Sequence, residues 1–273
     1  MLVAQKKKAG FFKKEAREMS IKIGIAGYGV VGRHMQGVFK QATIYDKFQG
    51  PTEPLNGFDF IFVCVPTPLK NGTLDCSEVE NVIRDCDSEM FIVRSTVTVG
   101  FVDYLSKKYG KRIVYQPEYI GESPNHSVSK TSQPKVLVLG GEPADRREVI
   151  DLYATVYNSN IRIRQLTVVE AEVVKLSENR AILFKLLQMQ ELYDACEATG
   201  VDYYSIREAV YGDDDRFDLG WSFVYPHNRG ASSKCIPKDI FAWKEWAGSN
   251  GHSPSLTNSL LSYHDMLTNK SYL

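Results

Sequence analysis

One cysteine stands in a charged stretch near the C-terminal end of the sequence. Cys235 is followed three and four residues later by Lys238 and Asp239. A thiolate is a nucleophile and a neighbouring ammonium group favours it, so this spacing could support covalent catalysis. A free cysteine is also among the residue types most often found buried, so Cys235 could equally be a core residue. The stretch alone leaves both interpretations open.

Two further pairs of polar residues have a spacing that brings them together. Lys175 and Asn179 are four residues apart in a helical stretch, so they lie on one face of that helix. Glu118 and Glu122 are also four apart and follow an apolar segment, KRIVYQP, that predicts a strand. Each pair could instead be solvated surface charge.

A glycine motif indicates a dinucleotide site. Gly27, Gly29 and Gly32 form G-x-G-x-x-G directly after an apolar strand and before a predicted helix. The first glycine permits the turn, the second lets the backbone approach a pyrophosphate, and the third lets helix and strand pack closely. Asp46 ends the next strand, where a carboxylate accepts hydrogen bonds from ribose hydroxyls and favours NAD over NADP.

These residues need a scaffold, and six apolar segments predict its strands: IKIGIAGYG, ATIYD, FDFIFVCVP, EMFIVRST, KRIVYQP and KVLVLGG. Helical stretches, 77–84 and 102–109 among them, alternate with the strands. This pattern predicts a Rossmann-like α/β fold with a doubly wound parallel sheet. Val65, Pro66, Thr67 and Thr96 then follow strands at the carboxyl edge, where such sheets bind ligands.

A long helix follows the predicted sheet. Thr167 and Glu170 have the spacing of a capping box, and Gly200 fits a helix stop. The helix between them would have roughly 33 residues and a length of about 50 Å. Shorter helices are predicted over 203–211 and 240–247. We therefore expect an all-α second domain built on one long helix, and a homodimer with helix 167–199 in the interface.

Composition limits the classes of function. The chain of 273 residues has 33 Lys and Arg against 33 Asp and Glu, which gives no basic face for a nucleic acid. We find no apolar run of about 18 residues, so no membrane span is expected. The five cysteines include no CxxC pair, which favours reduced thiols in a cytoplasm and no metal site.

Three domains are predicted from these observations. Residues 1–20 are a basic, disordered tail with six Lys and Arg against two Glu and no secretory signal pattern. Residues 21–166 form the NAD-binding domain. Residues 167–273 form a helical domain for dimerisation and catalysis.

Taken in order, the motifs resemble those of the UDP-glucose/GDP-mannose dehydrogenases, the four-electron nucleotide-sugar dehydrogenases. The order is G-x-G-x-x-G, VPTP with NGTLD, STV-x-x-G, PEY-x-x-E, AE-x-VK-x-x-x-N and C-x-PKD. The resemblance extends from Ile21 to about Lys270. It implies NAD-dependent oxidation of a nucleotide sugar to a uronate by two hydride transfers.

The resemblance also implies roles for the matched positions. Cys235 would attack the aldehyde from the first oxidation, and the thiohemiacetal would then be oxidised to a thioester. Lys175 and Asn179 would bind the developing oxyanion. Glu118 would be a general base, with a water held by Thr96 and Asp239.

The same resemblance implies binding residues. The substrate would contact Glu118, Glu122, Lys175, Asn179 and Cys235. The cofactor would contact Gly27, Tyr28, Gly29, Val30, Val31, Gly32, Asp46, Val65, Pro66, Thr67, Thr96, Glu122 and Lys238. Lys238 would favour the Cys235 thiolate.

Two departures from the family pattern keep alternatives open. The sequence ends where family members continue into a third, nucleotide-binding domain, so we expect a short form to which a separate chain could supply that domain. Ser232, Ser233 and Lys234 replace the usual Gly-Gly-Ser before the cysteine. The alternatives are a two-electron β-hydroxyacid dehydrogenase, which does not need the CIPKD stretch, and an inactive NAD-binding scaffold or regulator.

Overall fold

The computed structural model describes residues 21–119, 134–212, 220, 222, 224–231 and 235–268. The predicted tail 1–20 lies outside these ranges. The described residues divide into two compact units, which we treat separately. The first unit contains 21–67, 76–119 and 134–171, and the second contains 68–75 and the described residues from 172 onward.

The first unit is built on a seven-stranded sheet. In chain order the strands of the described residues are β1 (Ile23–Ala26), β2 (Thr43–Tyr45), β3 (Phe58–Val63), β4 (Leu69–Lys70), β5 (Thr73–Leu74), β6 (Ser88–Val93), β7 (Ile113–Tyr115), β8 (Val136–Gly140) and β9 (Arg162–Leu166). The sheet has the order β2-β1-β3-β6-β7-β8-β9. All six strands predicted from the sequence are confirmed within this sheet.

One strand pair departs from the predicted parallel arrangement. β8 runs antiparallel to β7 and meets it at Tyr115 and Gly140, whereas the other neighbours in the sheet are parallel. The sequence could not give this direction, because a strand buried on both faces is a continuous apolar run in either orientation. β9 was not predicted. It forms the sheet edge, and its Arg162 and Arg164 are exposed.

Helices cover the sheet of the first unit. They are α1 (Val30–Val38), α2 (Ser77–Asp85), α3 (Phe101–Tyr109) and α4 (Pro143–Tyr153). The predictions for α2 and α3 are confirmed to within one residue at each end. An aromatic cluster lies in the core, where the Phe39 ring stacks on Phe62 at 5.2 Å and Tyr153 contacts both rings. The core therefore joins α1 and α4 to β3.

The long helix α5 (Val168–Thr199) has 32 residues and the predicted ends. The backbone N–H of Thr167 donates to Glu170 Oε2 at 2.8 Å, and the Glu170 N–H donates to Thr167 Oγ1 at 3.3 Å. This reciprocal pair is a capping box, and it satisfies two N–H groups that the helix itself leaves unpaired. Gly200 has φ +72°, as a glycine stop requires. Both end predictions are confirmed.

The second unit is helical. After most of α5 it contains α6 (Tyr203–Tyr211), α7 (Cys235–Ser249), α8 (Ser255–Thr268) and the β4–β5 hairpin. The members of its apolar core come from α5, α7 and α8 and from Ala231, which precedes α7, with Leu69 of the hairpin packed against them: Leu183, Leu187, Ala231, Ile236, Ile240, Phe241 and Leu261. The hairpin turns at Asn71 (φ +53°) and Gly72 (φ +82°), which suits a two-residue turn.

Two helix boundaries in this unit bear on the predictions. α6 coincides with the predicted 203–211 helix, and Asp202 caps it by accepting from the Ser205 N–H at 3.0 Å. The prediction of a helix over 240–247 was too short, because α7 already begins at Cys235. Pro237 lies in the first turn of α7, where proline is tolerated because its missing N–H costs no hydrogen bond.

Candidate active and cofactor sites

The glycine loop of the first unit has the backbone that its sequence requires. Gly27 has φ +95°, and a Cβ there would lie 2.5 Å from the Cys64 carbonyl oxygen. A Cβ on Gly32 would lie 1.9 Å from the Gly27 carbonyl oxygen. A Cβ on Gly29 would have open space around it, so packing within the described residues does not explain this glycine. Room for a ligand to approach the backbone does explain it.

The loop runs directly into α1. Gly29 is the N-cap residue, and no described side chain caps this helix end. The first N–H groups of α1 are therefore available to an anion, and the helix dipole favours negative charge there. Tyr28, Val30 and Val31 are half-buried around this helix start. The loop and the helix end together fit the pyrophosphate of a dinucleotide.

Asp46 lies against the glycine loop, as the spacing predicted. Its Oδ2 accepts from the Tyr28 N–H at 2.6 Å, and its Oδ1 accepts from the N–H groups of Phe48 and Gln49 at 2.8 Å each. Burial raises the pKa of Asp46, but the three backbone hydrogen bonds outweigh burial and the net pKa is lowered. The carboxylate is thus ionised and fixed as an acceptor.

The strand ends carry the other cofactor residues of the first unit. Val65, Pro66 and Thr67 follow β3, and Thr67 is buried while Val65 is half-buried. Thr96 follows β6, the neighbour of β3 in the sheet, and is half-buried. The preceding Ser95 donates its hydroxyl to the Val65 carbonyl at 2.6 Å and so holds the two strand ends together. These positions lie at one edge of the sheet.

Glu118 lies at the same edge, three residues beyond the end of β7. Its carboxylate is paired with the guanidinium of Arg94, and both side chains are at least 90% buried. Sequence reasoning missed Arg94, which was only one letter of the RSTVTVG motif. Glu122 falls outside the described residues, and its role stays a prediction.

Three of the predicted polar residues meet in the second unit. Asn179 Nδ2 donates to Asp239 Oδ2 at 2.5 Å, and Lys238 Nζ pairs with Asp239 Oδ1 at 3.0 Å. The Asp239 side chain is fully buried. The structure thus joins the predicted helix pair to the CIPKD stretch, 60 residues away in sequence.

Lys175 is buried on the same face of α5 as Asn179. Glu172 lies one turn earlier on that face and is fully buried. Glu172 belongs to the AE-x-VK-x-x-x-N motif, but the sequence analysis assigned it no role, although its position three residues before Lys175 was a usable signal. This face therefore carries three buried polar side chains in a row.

Cys235 is the first residue of α7. It is half-buried, whereas the other four cysteines, Cys64, Cys76, Cys86 and Cys196, are buried, and all five are free thiols. Burial raises the pKa of the Cys64 thiol to about 12, which makes that thiol inert. A helix start favours a thiolate, so Cys235 has the accessibility and the position of a reactive thiol. Ser232, Ser233 and Lys234 lie outside the described residues.

The fold and the glycine loop define a class: a dinucleotide-binding α/β domain joined to an all-α unit on one long helix, as in NAD-dependent oxidoreductases. The model of the "UDP-glucose/GDP-mannose dehydrogenase family, NAD binding domain" matches residues 22–159. The model of the central domain of the same family matches residues 169–265. The chain therefore belongs to the UDP-glucose/GDP-mannose dehydrogenase family, and its cofactor is NAD.

Curated relatives share about a quarter of their residues with the chain. The UDP-glucose 6-dehydrogenase of Pseudomonas aeruginosa is 25% identical over 226 residues, which are 76% of this chain and 49% of that protein. The GDP-mannose 6-dehydrogenase of Pseudomonas syringae pv. tomato is 26% identical over 268 residues, 89% of this chain and 60% of that protein. The chain spans about half the length of the first of these relatives.

Solved structures share the fold. A UDP-glucose dehydrogenase from Pyrobaculum islandicum superposes with a TM-score of 0.74 at 19% identity, covering 90% of this chain and 68% of that one. The 3-hydroxyisobutyrate dehydrogenase of Mycobacterium tuberculosis superposes with a TM-score of 0.68 at 15% identity, covering 93% and 96%. The second likeness shows that a β-hydroxyacid dehydrogenase has the same fold. At 15% identity it gives no information about activity.

None of the helices in the described parts of the chain combines the length and the apolar character needed to cross a bilayer.

Gly32→Ala is expected to disrupt the cofactor loop. The new methyl group would overlap the Gly27 carbonyl, so loop and helix must separate, at a cost of about 1–3 kcal/mol of stability. We expect the affinity for NAD to fall roughly tenfold or more, about 1.4 kcal/mol. Calorimetric titration with NAD measures the affinity directly.

Gly37→Ala is the matched control, because Gly37 lies in the same helix with open space around it. Equal NAD affinity for the two variants would contradict the role of Gly32.

Proposed function

We propose that the chain oxidises the primary alcohol of a nucleotide sugar, UDP-glucose or a close analogue, to the uronate in two NAD-dependent steps. The observation that carries the proposal is the Asn179–Asp239 hydrogen bond, with Lys238 paired to the same carboxylate. It joins two of the family's motifs into one polar cluster. Lys238 and Asp239 of this cluster lie near the start of α7, the helix that begins with Cys235. A two-electron dehydrogenase would have no use for this cysteine.

The covalent step follows from the difficulty of the second oxidation. The first hydride transfer leaves an aldehyde, and the Cys235 thiolate adds to its carbonyl carbon to give a thiohemiacetal. The helix start and the Lys238 charge favour the thiolate that this addition needs. Bound NAD supplies the hydride acceptor in both oxidations. Loss of the second hydride and of the hydroxyl proton gives a thioester that stays attached to Cys235.

Lys175 and Asn179 stabilise the oxyanion that develops on the substrate oxygen. Both side chains are largely buried, and donors aimed at developing charge in a water-poor site are most effective. The Asn179 amide has two N–H groups, and the hydrogen bond to Asp239 uses one of them. That bond also fixes the orientation of the amide. The other N–H serves the substrate.

Hydrolysis requires a base. Glu118 takes a proton from the attacking water, which Thr96 and Asp239 hold, and the thioester carbon–sulfur bond breaks to release the uronate and the Cys235 thiolate. The pairing of Glu118 with the Arg94 guanidinium supports this role, because an adjacent cation favours the ionised carboxylate.

The test is turnover. The chain is incubated with NAD and a panel of UDP- and GDP-sugars, and NADH absorbance is followed. The panel is repeated with extract of the source cells added, because a separate chain that holds the nucleotide half belongs to the proposal. NADH from a nucleotide sugar supports the function. NADH from a 3-hydroxy acid alone would favour the β-hydroxyacid alternative, and NAD binding without turnover would favour the scaffold.

Five free thiols are consistent with a cytoplasmic reaction.

We further propose a homodimer through the exposed face of α5. Phe184 and Val174 lie on this face and are exposed despite being large and apolar. Phe184→Glu would place a charge in the interface, so we expect a shift from dimer to monomer in light scattering at micromolar concentration. Leu256→Glu, at an exposed apolar position on α8, should leave the dimer intact. A monomeric wild-type chain would contradict the dimer.

A further inference from the structure

We propose that Arg94 is a positioning residue: its buried guanidinium holds the Glu118 carboxylate ionised and in one orientation, and Arg94 affects the reaction through Glu118. This inference rests on the proposed function, in which Glu118 is the base. The sequence motifs assign no role to Arg94.

The sheet brings the two residues together. Arg94 is the first residue after β6, and Glu118 follows the end of β7, the parallel neighbour of β6. Arg94 NH2 pairs with Glu118 Oε2, and the two side chains are 6% and 10% exposed. The other carboxylate oxygen, Oε1, accepts from the Tyr119 N–H at 2.7 Å. The carboxylate is thus held through both of its oxygens, which fixes its plane.

The guanidinium is itself held from the opposite side. Arg94 NH1 donates to the Tyr153 hydroxyl of α4 at 3.3 Å and contacts Met35 Sδ of α1 at 2.7 Å. The Tyr153 hydroxyl donates in turn to Gln116 Oε1 at 2.5 Å. Burial raises the pKa of Tyr153 to about 12, so this hydroxyl stays a donor at all working pH values. Arg94 is thus anchored to two helices through Nη1, while Nη2 is paired with Glu118.

The electrostatics explain why an arginine is needed. Burial alone disfavours an ionised carboxylate, whereas an adjacent cation favours it. A guanidinium does not deprotonate in proteins, so its charge is permanent. A base that must be ionised before each proton transfer, in a site largely closed to water, therefore depends on this partner.

The first experiment is a double-mutant cycle in kcat with Arg94→Met and Glu118→Gln. Arg94→Met should lower kcat about 100-fold, as misplacement of a catalytic group does, with the KM for the sugar and the Kd for NAD changed less than about threefold. Arg94→Lys keeps the charge but loses the anchored fork, so it should recover part of kcat.

In the Glu118→Gln background, Arg94→Met should change kcat less than about threefold. Arg112→Met, which breaks a half-exposed ion pair with Asp145 in the same unit, should leave kcat unchanged.

The second experiment is the same cycle in thermal unfolding, which needs no turnover. Arg94→Met leaves a buried carboxylate without its cation and should lower Tm by at least about 6 °C, and adding Glu118→Gln should recover most of that loss. Additive effects in kcat, or no recovery of Tm in the double variant, would overturn the proposal. A wild-type chain without turnover would overturn the proposed function instead, and the unfolding cycle would then decide whether Arg94 holds Glu118.

Discussion

Replacing Cys235 by alanine is expected to lower NADH formation from a nucleotide sugar by at least roughly 10³-fold, because the covalent hold on the aldehyde is lost. Cys235 is the half-buried cysteine at the start of α7, and the other four thiols are buried. Cys235→Ser keeps a nucleophilic atom but a much weaker one, so it should be similarly slow. The measurement is the initial rate of NADH formation at saturating NAD.

Cys196→Ala is the matched control for this prediction. Cys196 lies in the same unit but is buried on α5. Its replacement should lower stability slightly and leave kcat within about twofold, since truncating one buried sulfur removes packing and no chemistry. If Cys235→Ala were as active as Cys196→Ala, the thiol would be a packing residue and the two-step mechanism would be wrong.

Replacing Asp239 by alanine is expected to destabilise the second unit by about 2–4 kcal/mol. Its carboxylate is fully buried and carries the Asn179 hydrogen bond and the Lys238 ion pair, so alanine leaves both partners without their acceptor. Asp239→Asn keeps the shape and should cost less. The free energy of unfolding in urea measures each effect. The kcat should fall more in Asp239→Ala, where the Asn179 amide loses its acceptor, than in Asp239→Asn, which keeps a carbonyl oxygen there.

Asp85→Ala is the control for a lost carboxylate at the surface. Asp85 pairs with Arg84 on α2, and both side chains are more than a third exposed. Exposed ion pairs of this kind contribute little to stability, so the stability should hardly change. Equal stability of Asp239→Ala and Asp85→Ala would show that the buried cluster does not hold α7 to α5.

The elements with strong local signals could be predicted from the sequence. The apolar strands, the capping box at Thr167 and the glycine stop at Gly200 depend on neighbouring residues alone. β9 and α4 were missed because their charged residues weaken the apolar pattern. The Leu69–Leu74 hairpin was missed although Asn71–Gly72 is a strong turn signal. The direction of β8 depends on which strands it pairs with, and no local pattern encodes that.

The site residues also fall into those that local sequence positions and those that only the fold brings together. Gly27, Gly32 and Asp46 follow from spacing, because a turn and the next strand end position them. The family resemblance assigns Asn179 and Asp239 to one active site, but their contact could not be predicted, since the two residues are 60 apart in sequence. Arg94 could not be identified, because its importance comes from burial beside Glu118, which only the sheet order creates.

The most direct test of the two-step account is the amount of NADH formed per molecule of nucleotide sugar when the sugar is limiting. The wild-type chain oxidises each sugar twice, so the account predicts two NADH per sugar together with a uronate as the product. One NADH per sugar, with an aldehyde or ketone as the final product, would contradict the Cys235 thioester and with it the central claim.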